Sequence, residues 1–207
     1  MAQVNQPNLR NRVKPRNAAK SSYRGRRTLY IFDSPRNRQR FQVYGQLCFA
    51  HCILAEGDPT IRHYLPSKPP DEPGKGPYRQ TVLVERYDGR WERWHFEKRH
   101  ADDCAGDAKI VQKTEDQIRR SKFLLMNWMA LCADRNRVQG ESLARELGAL
   151  MRTMDGCARL TVQQAIRIEG TDPALMLGVI AMQFAEGLLC CDLEHAPYCL
   201  TSEIWQP

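Results

Sequence analysis

No stretch of this 207-residue chain approaches the ~18–20 consecutive apolar residues of a membrane span. Its N-terminus has no apolar segment behind its charges, which argues against a secretory signal. Pro7 and Pro15 break any amphipathic transit helix there. The expectation is a soluble protein of the bacterial cytoplasm, with no membrane partner. Paired CxxC knuckles are also missing, although there are eight cysteines. Cys132, Cys157 and Cys190-Cys191 lie in apolar runs where a reduced thiol packs as a small hydrophobe. Cys48-x-x-x-Cys52, with His51 between, puts two thiols on one helical face for a metal or for the core. The expected reading is core packing and no metal.

Acidic residues are absent from two places. From Arg10 to Arg27 there are eight bases (Arg10, Arg12, Lys14, Arg16, Lys20, Arg24, Arg26 and Arg27), no acid and almost nothing apolar. Between Asp33 and Glu56 there is no Asp or Glu at all. The charge is therefore divided. Residues 1–40 hold eleven Lys and Arg against Asp33 alone, a net +10, whereas residues 41–207 sum to −3. A segment such as 10–27 cannot bury enough surface to fold alone and matches a polyphosphate backbone electrostatically. The bases are interleaved with Asn, Ser and Tyr23, which favours nucleic acid over a tail that serves only solubility.

What is present reads as an α/β body followed by a helical module. Thr28 to Asp33 alternates as a strand, and Arg38 to Glu56 carries Phe41, Tyr44, Leu47, Cys48 and Cys52 at helical spacing, stopped by Gly57, Asp58 and Pro59. His63 to Leu65 is a short extended piece, followed by a Pro/Gly/Lys-rich loop from Pro66 to Pro77. Tyr78–Arg86 and Trp91–Lys98 flank Asp88-Gly89 as a hairpin, with a polar connection over 100–112. A capping box at Thr114–Gln117 opens a helix through Cys132, and Ser142 caps a second helix, stopped by Gly156. Thr161–Gln164 is another capping box, and Asp172-Pro173 opens a helix through Glu186. Leu188–Leu193 and Tyr198–Trp205 read as two closing strands, so that three helices and a hairpin predict a winged-helix-like module. The divisions are a basic arm over 1–27, an α/β domain over 28–112 and a helical domain over 113–207.

Tyr44 to Pro59 (YGQLCFAHCILAEGDP), Tyr78 to Val82, Asp88-Gly89 and Phe96-Glu97-Lys98 resemble, in order, the signature helix, the "Y-x-P-D-F" strand, the turn and the "E/Q-V-K" strand of TnsA-like transposon endonucleases. Phe184–Leu188, Asp192-Leu193 and Pro197–Thr201 are similar to the end of that family's second domain. The likeness spans roughly residues 28–207 and implies a restriction-endonuclease-like fold: a mixed sheet with flanking helices. Family chemistry uses two carboxylates on Mg²⁺ and a lysine. Here the helix acid falls near Tyr44 or Cys48, the strand aspartate on Gln80 or Thr81, and the polar residue before the lysine on Phe96. Only Lys98 remains, either as a DNA contact or as a solvated strand-end lysine. The resemblance thus implies a relative with no catalytic residues and no cofactor, Mg²⁺ being the alternative if Glu56, Asp58, Glu85 or Glu97 stood in.

Two surfaces follow. Arg86, Arg90, Trp91, Arg93, Trp94, His95, Lys98, Arg99 and His100 gather in the hairpin, one face being core and the other a second phosphate surface. Arg90, Arg93, Lys98 and Arg99 are the candidate contacts there. Residues 140–207 hold four bases against nine acids, which repels a duplex and suits a protein partner, with Glu186, Asp192 and Glu194 as candidate contacts. The helix from Asp172 lacks Lys and Arg and is apolar nearly all round, so it is either an interface or the core of its domain. The combined expectation is a DNA-binding, partner-docking subunit of a transposition or mobile-element machine. An active metal-dependent DNA endonuclease and an RNA- or ribonucleoprotein-binding module of a defence system are the alternatives.

Overall fold

In a computed structural model, residues 28–68, 79–96 and 108–207 are described; the basic arm and Lys98, Arg99 and His100 lie outside them. The fold is mixed α/β. Strands β1 (Leu29–Ser34) and β2 (Gln39–Tyr44) form an antiparallel hairpin ahead of helix α1 (Gln46–Gly57). Strands β3 (Ile61–Pro66), β4 (Thr81–Arg86), β5 (Trp91–His95) and β6 (Lys109–Gln112) form one sheet in that order, antiparallel except for the parallel β5–β6 pair. Helices α2 (Glu115–Arg120), α3 (Lys122–Arg137) and α4 (Ala144–Asp155) follow. A two-residue strand β7 (Leu160–Thr161), helices α5 (Val162–Ala165) and α6 (Pro173–Ala185) and strand β8 (Glu203–Ile204) complete the order. No helix among the described residues is long and apolar enough to cross a membrane.

Alternation along the sheet decides what α1 covers. Ile61, Tyr64, Val82, Val84 and Trp94 pack with Cys48, Cys52 and Ala55 of α1 and with Phe41 and Val43 of the hairpin. The second cluster joins Ile53 of α1 to Trp128 and Leu131 of α3, Leu150 of α4 and Met176, Ile180 and Phe184 of α6. Helix α1 is therefore shared by both cores.

Several local expectations hold. Asp88-Gly89 turns β4 into β5, with Gly89 at φ 81°. Thr114 and Thr161 make capping boxes with Gln117 and Gln164, and Asp172 caps α6 by accepting from the amides of Ala174 and Leu175. Five others are corrected. Residues 39–44 are a strand rather than the start of a helix: Phe41 and Val43 point inward two residues apart, and Gly45 at φ 91° separates β2 from α1. Residues 109–112, expected as a polar connection, pair with β5 as a fourth strand, whose apolar Ile110 and Val111 are too short a signal to read alone. The helix expected over 114–132 breaks at Ser121 and then runs on to Arg137. Leu143, not Ser142, is the N-cap of α4, with no side-chain cap.

The fifth correction concerns the closing strands. Residues 188–193 contribute only a single bridge, Cys190 to Trp205, and the rest of the last segment's pairing is that of Glu203-Ile204 with β7. The turn between them is held by a side chain instead. Asn127 of α3, 5% exposed, donates to the carbonyls of Leu193 (2.9 Å) and Ala196 (2.8 Å) and accepts from the Tyr198 amide (2.8 Å). These hydrogen bonds satisfy backbone groups that a strand ladder would otherwise serve.

Candidate functional site

Tyr44, Gly45, Gln46, Leu47 and Cys48, at the entrance to α1, meet Gln80 at the start of β4 and Phe96 at the end of β5 around one cavity of about 160 Å³. Tyr44 and Cys48, the alternatives for the helix acid, Gln80, one of the two candidates for the strand aspartate, and Phe96 are thus neighbours in space, although they are spread over more than fifty residues of chain. Thr81, the other candidate for the strand position, is turned to a different task. Its amide donates to Ser67 Oγ at 3.0 Å and its carbonyl accepts from the Ser67 amide at 2.8 Å, extending the β3–β4 pairing. Lys98 and Glu97 lie outside the described residues.

The described residues that line the cavity are neutral. Gln80 is 5% exposed; its carbonyl oxygen accepts from the Tyr44 amide, and its amide nitrogen donates to the carbonyls of Gln42 and Ser67, each at 3.3 Å. An aspartate there would have no N–H for those two carbonyls. Gln80 is therefore a bracket that ties β2, β4 and the end of β3 together. Cys48 and Cys52 are both buried; burial first, then the neighbouring Cys48, pushes the Cys52 thiol well above its ordinary value. Among the described residues, no group of three or more His, Cys, Asp or Glu is placed to hold an ion.

The carboxylates that could have stood in for the missing ones are engaged elsewhere. Glu56, ten residues along α1, is fully buried; it accepts from Ser34 Oγ, from Tyr64 Oη at 2.6 Å and from the Arg36 amide at 2.9 Å, with Arg135 at 3.4 Å. Asp58 accepts from the Thr60 amide and hydroxyl (2.9 and 2.6 Å) and pairs with Arg86 at 3.3 Å. Glu85 pairs with Arg62 at 3.0 Å. None of the three lines the cavity. The described residues that do line it offer Mg²⁺ no anionic oxygen, and magnesium gives up its water reluctantly. The set does not fit that ion.

Among the bases of the hairpin, Arg86 is committed: it bridges Glu92 (2.9 and 3.1 Å) and Asp58, with the Glu92 hydrogen bond holding its guanidinium above the ordinary value. Trp94 is core; its indole donates to Glu92 at 2.9 Å, and Lys113 sits 3.9 Å over its ring. Arg90 is exposed and paired locally with Asp88, an interaction of little energetic weight in water. Arg93 is half-buried on the face opposite Trp94, in register with Leu83 and Ile110. On that same face Trp91 is 42% exposed and Leu65 42% exposed. Lys109, which starts β6 and is exposed, is an addition to the candidates read from sequence. Its only signal there is a strand too short to recognise.

In the C-terminal half, Glu186, Asp192 and Glu194 are all exposed. Asp192 accepts from the His195 amide (3.1 Å) and ring (2.8 Å); that hydrogen bond lowers the carboxyl and raises the imidazole from their ordinary values. Glu186 accepts from the Gln183 side chain at 3.4 Å. Helix α6, open as interface or core, is largely core: Met176, Val179, Ile180, Ala181, Phe184 and Ala185 are buried against α3 and α4.

No family model matches the chain, and neither does any curated protein or solved structure with which it was compared.

Proposed function

We propose that this chain is a DNA-binding, partner-docking subunit of a transposition or mobile-element machine, a relative of the TnsA-type endonuclease without its cleavage chemistry. The observation that carries the reading is the cavity at the head of α1, where Tyr44, Cys48, Gln80 and Phe96 converge with no carboxylate among them. Gln80 and Phe96 meet by the hairpin register that pairs Thr81 with His95, and the Gln80 side chain brings in Tyr44, an arrangement compatible with the resemblance. The mixed sheet stacked on α1 supports a restriction-endonuclease-like body. The order α4, β7, α5, α6, bridge, β8 supports a winged-helix-like module. Its α6 is occupied by packing and its surface is acidic, so it docks protein rather than reading a groove.

DNA is engaged by the basic arm (residues 10–27), aided by Arg90 and Arg93. Such contacts reach phosphate oxygens and carry little sequence identity. The test uses purified full-length protein with a plasmid and with labelled duplexes, in Mg²⁺ and in Mn²⁺. Salt-sensitive duplex binding without strand cleavage is the expected result. Metal-dependent nicking abolished by Lys98→Ala would overturn the non-catalytic assignment. Tighter binding of duplex RNA than of duplex DNA would favour the ribonucleoprotein reading.

A further inference from the structure

The sheet face turned away from α1 carries an open cavity of about 600 Å³, of whose described lining residues the DNA contact proposed above uses Arg90 alone. Leu83 and Trp91, from β4 and β5, lie on that face, Gly89 and Arg90 of the β4–β5 turn form one side, and Lys109 at the start of β6 forms the other. The size falls within the ~300–1,000 Å³ of small-ligand sites. Its chemistry is specific in three respects. Trp91 offers an indole that is 42% exposed, although the next tryptophan, Trp94, is 3% exposed. An exposed base, Arg90, stands at the rim, whereas Lys109 is in register with Glu92 on the other face of the sheet. The one acid among the described lining residues, Glu92, is already neutralised by Arg86 and by the Trp94 indole, so it does not repel an anion.

An apolar floor, an accessible indole and a cation at the edge suit a nucleotide, which has a flat π-system to stack and a phosphate to be held. In intact duplex the base faces are occupied by their neighbours, so only an unpaired base can use an indole in this way. We infer that the Trp91 cavity captures an unpaired base of a nucleic-acid strand, with Arg90 on its flanking phosphate. The inference rests on the nucleic-acid reading above and adds to it a preference for nicked, tailed or bulged DNA. Gly89, at φ 81° and with nothing within 4 Å of an added Cβ, leaves the mouth of the cavity open on the turn side. The pair of Arg90 with Asp88 is exposed and can be exchanged for a phosphate at little cost.

The experiment compares full-length protein on a plain duplex and on the same duplex carrying a single-stranded thymidine tail, by fluorescence anisotropy at fixed salt. The wild-type chain is expected to bind the tailed DNA about tenfold more tightly, from stacking of one base. Trp91→Ala should abolish that preference while leaving plain-duplex affinity within about twofold, because duplex binding rests on phosphate contacts. Trp91→Phe, which keeps a stacking surface, should retain most of the preference, and serves as the check if the alanine variant folds poorly. Equal binding of both DNAs by the wild type, or a tail preference unchanged in Trp91→Ala, would overturn the site while leaving duplex binding intact. Failure to bind either DNA would instead remove the nucleic-acid reading on which the inference rests.

Discussion

Tyr64 of β3 donates its phenol hydrogen to the carboxylate of Glu56 in α1 at 2.6 Å, and both side chains are fully buried. Burial, followed by the charge of Glu56, pushes the Tyr64 phenol well above its ordinary value, so it is a donor at any physiological pH. Around the same carboxylate stand Ser34 of β1, the Arg36 amide and Arg135 of α3. Arg36 also reaches the carbonyls of Glu56 (2.9 Å), Ile61 and Ala185 (3.2 Å). One acid thus organises the junction of the hairpin, the sheet and the helical half.

Replacing Glu56 by alanine should therefore cost about 3–5 kcal/mol, because two guanidinium groups lose their buried counter-charge. Glu56→Gln, which keeps the shape and one acceptor, should cost less. Urea unfolding of both variants checks the order, and an alanine variant within about 1 kcal/mol of wild type would show that the network carries no net stability.

Helix α1 ends where it touches α3, and the close approach admits no side chain at Gly57. An added Cβ would lie 1.9 Å from the Trp128 ring. Gly57→Ala should destabilise by about 1–3 kcal/mol or more through overpacking, against the usual helix preference for alanine. A thermal midpoint equal to or above that of wild type would contradict the packing.

His51 is 4% exposed between Trp94 and Phe96, its Nε2 3.3 Å from the Thr114 carbonyl. Burial, with Lys113 adding, lowers it to about 4. The unfolded chain, with an ordinary histidine near 6.5, takes up the proton first as pH falls. Stability from this group is therefore complete above pH 6.5 and is lost as pH falls from there to about 4. The loss is on the order of 3 kcal/mol at ~1.4 kcal/mol per unit. His51→Leu should flatten this limb of the stability profile, measured by urea unfolding at stepped pH; an unchanged limb would assign it to other groups.

Deleting residues 1–27 removes the eight bases from Arg10 to Arg27. For every phosphate that the shortened chain no longer neutralises, the slope of log K against log salt should fall by about 0.9, so the slope should flatten by roughly 3 or more. An unchanged slope would exclude the arm from the interface.

How far the sequence could be read follows the reach of each interaction. The Asp88-Gly89 turn, the boxes at Thr114 and Thr161 and the Asp172-Pro173 cap were legible because their donors and acceptors lie within four residues of one another. The division of charge, with a basic arm before an acidic C-terminal stretch, was legible by counting alone. At Gln39–Tyr44 the same apolar residues satisfied both a helical and a strand spacing, and only pairing with β1 chose the strand. Strand β6 could not be recognised because its four residues become a strand only beside β5. The tertiary structure alone decided that Gln80 would spend its amide on Gln42 and Ser67, that Glu56 would be met by Ser34, Tyr64 and Arg36, and that Trp91 would stay open while Trp94 closed. Those outcomes depend on groups far apart in the chain, or on which face of a sheet a helix covers, and local propensity carries no information about either.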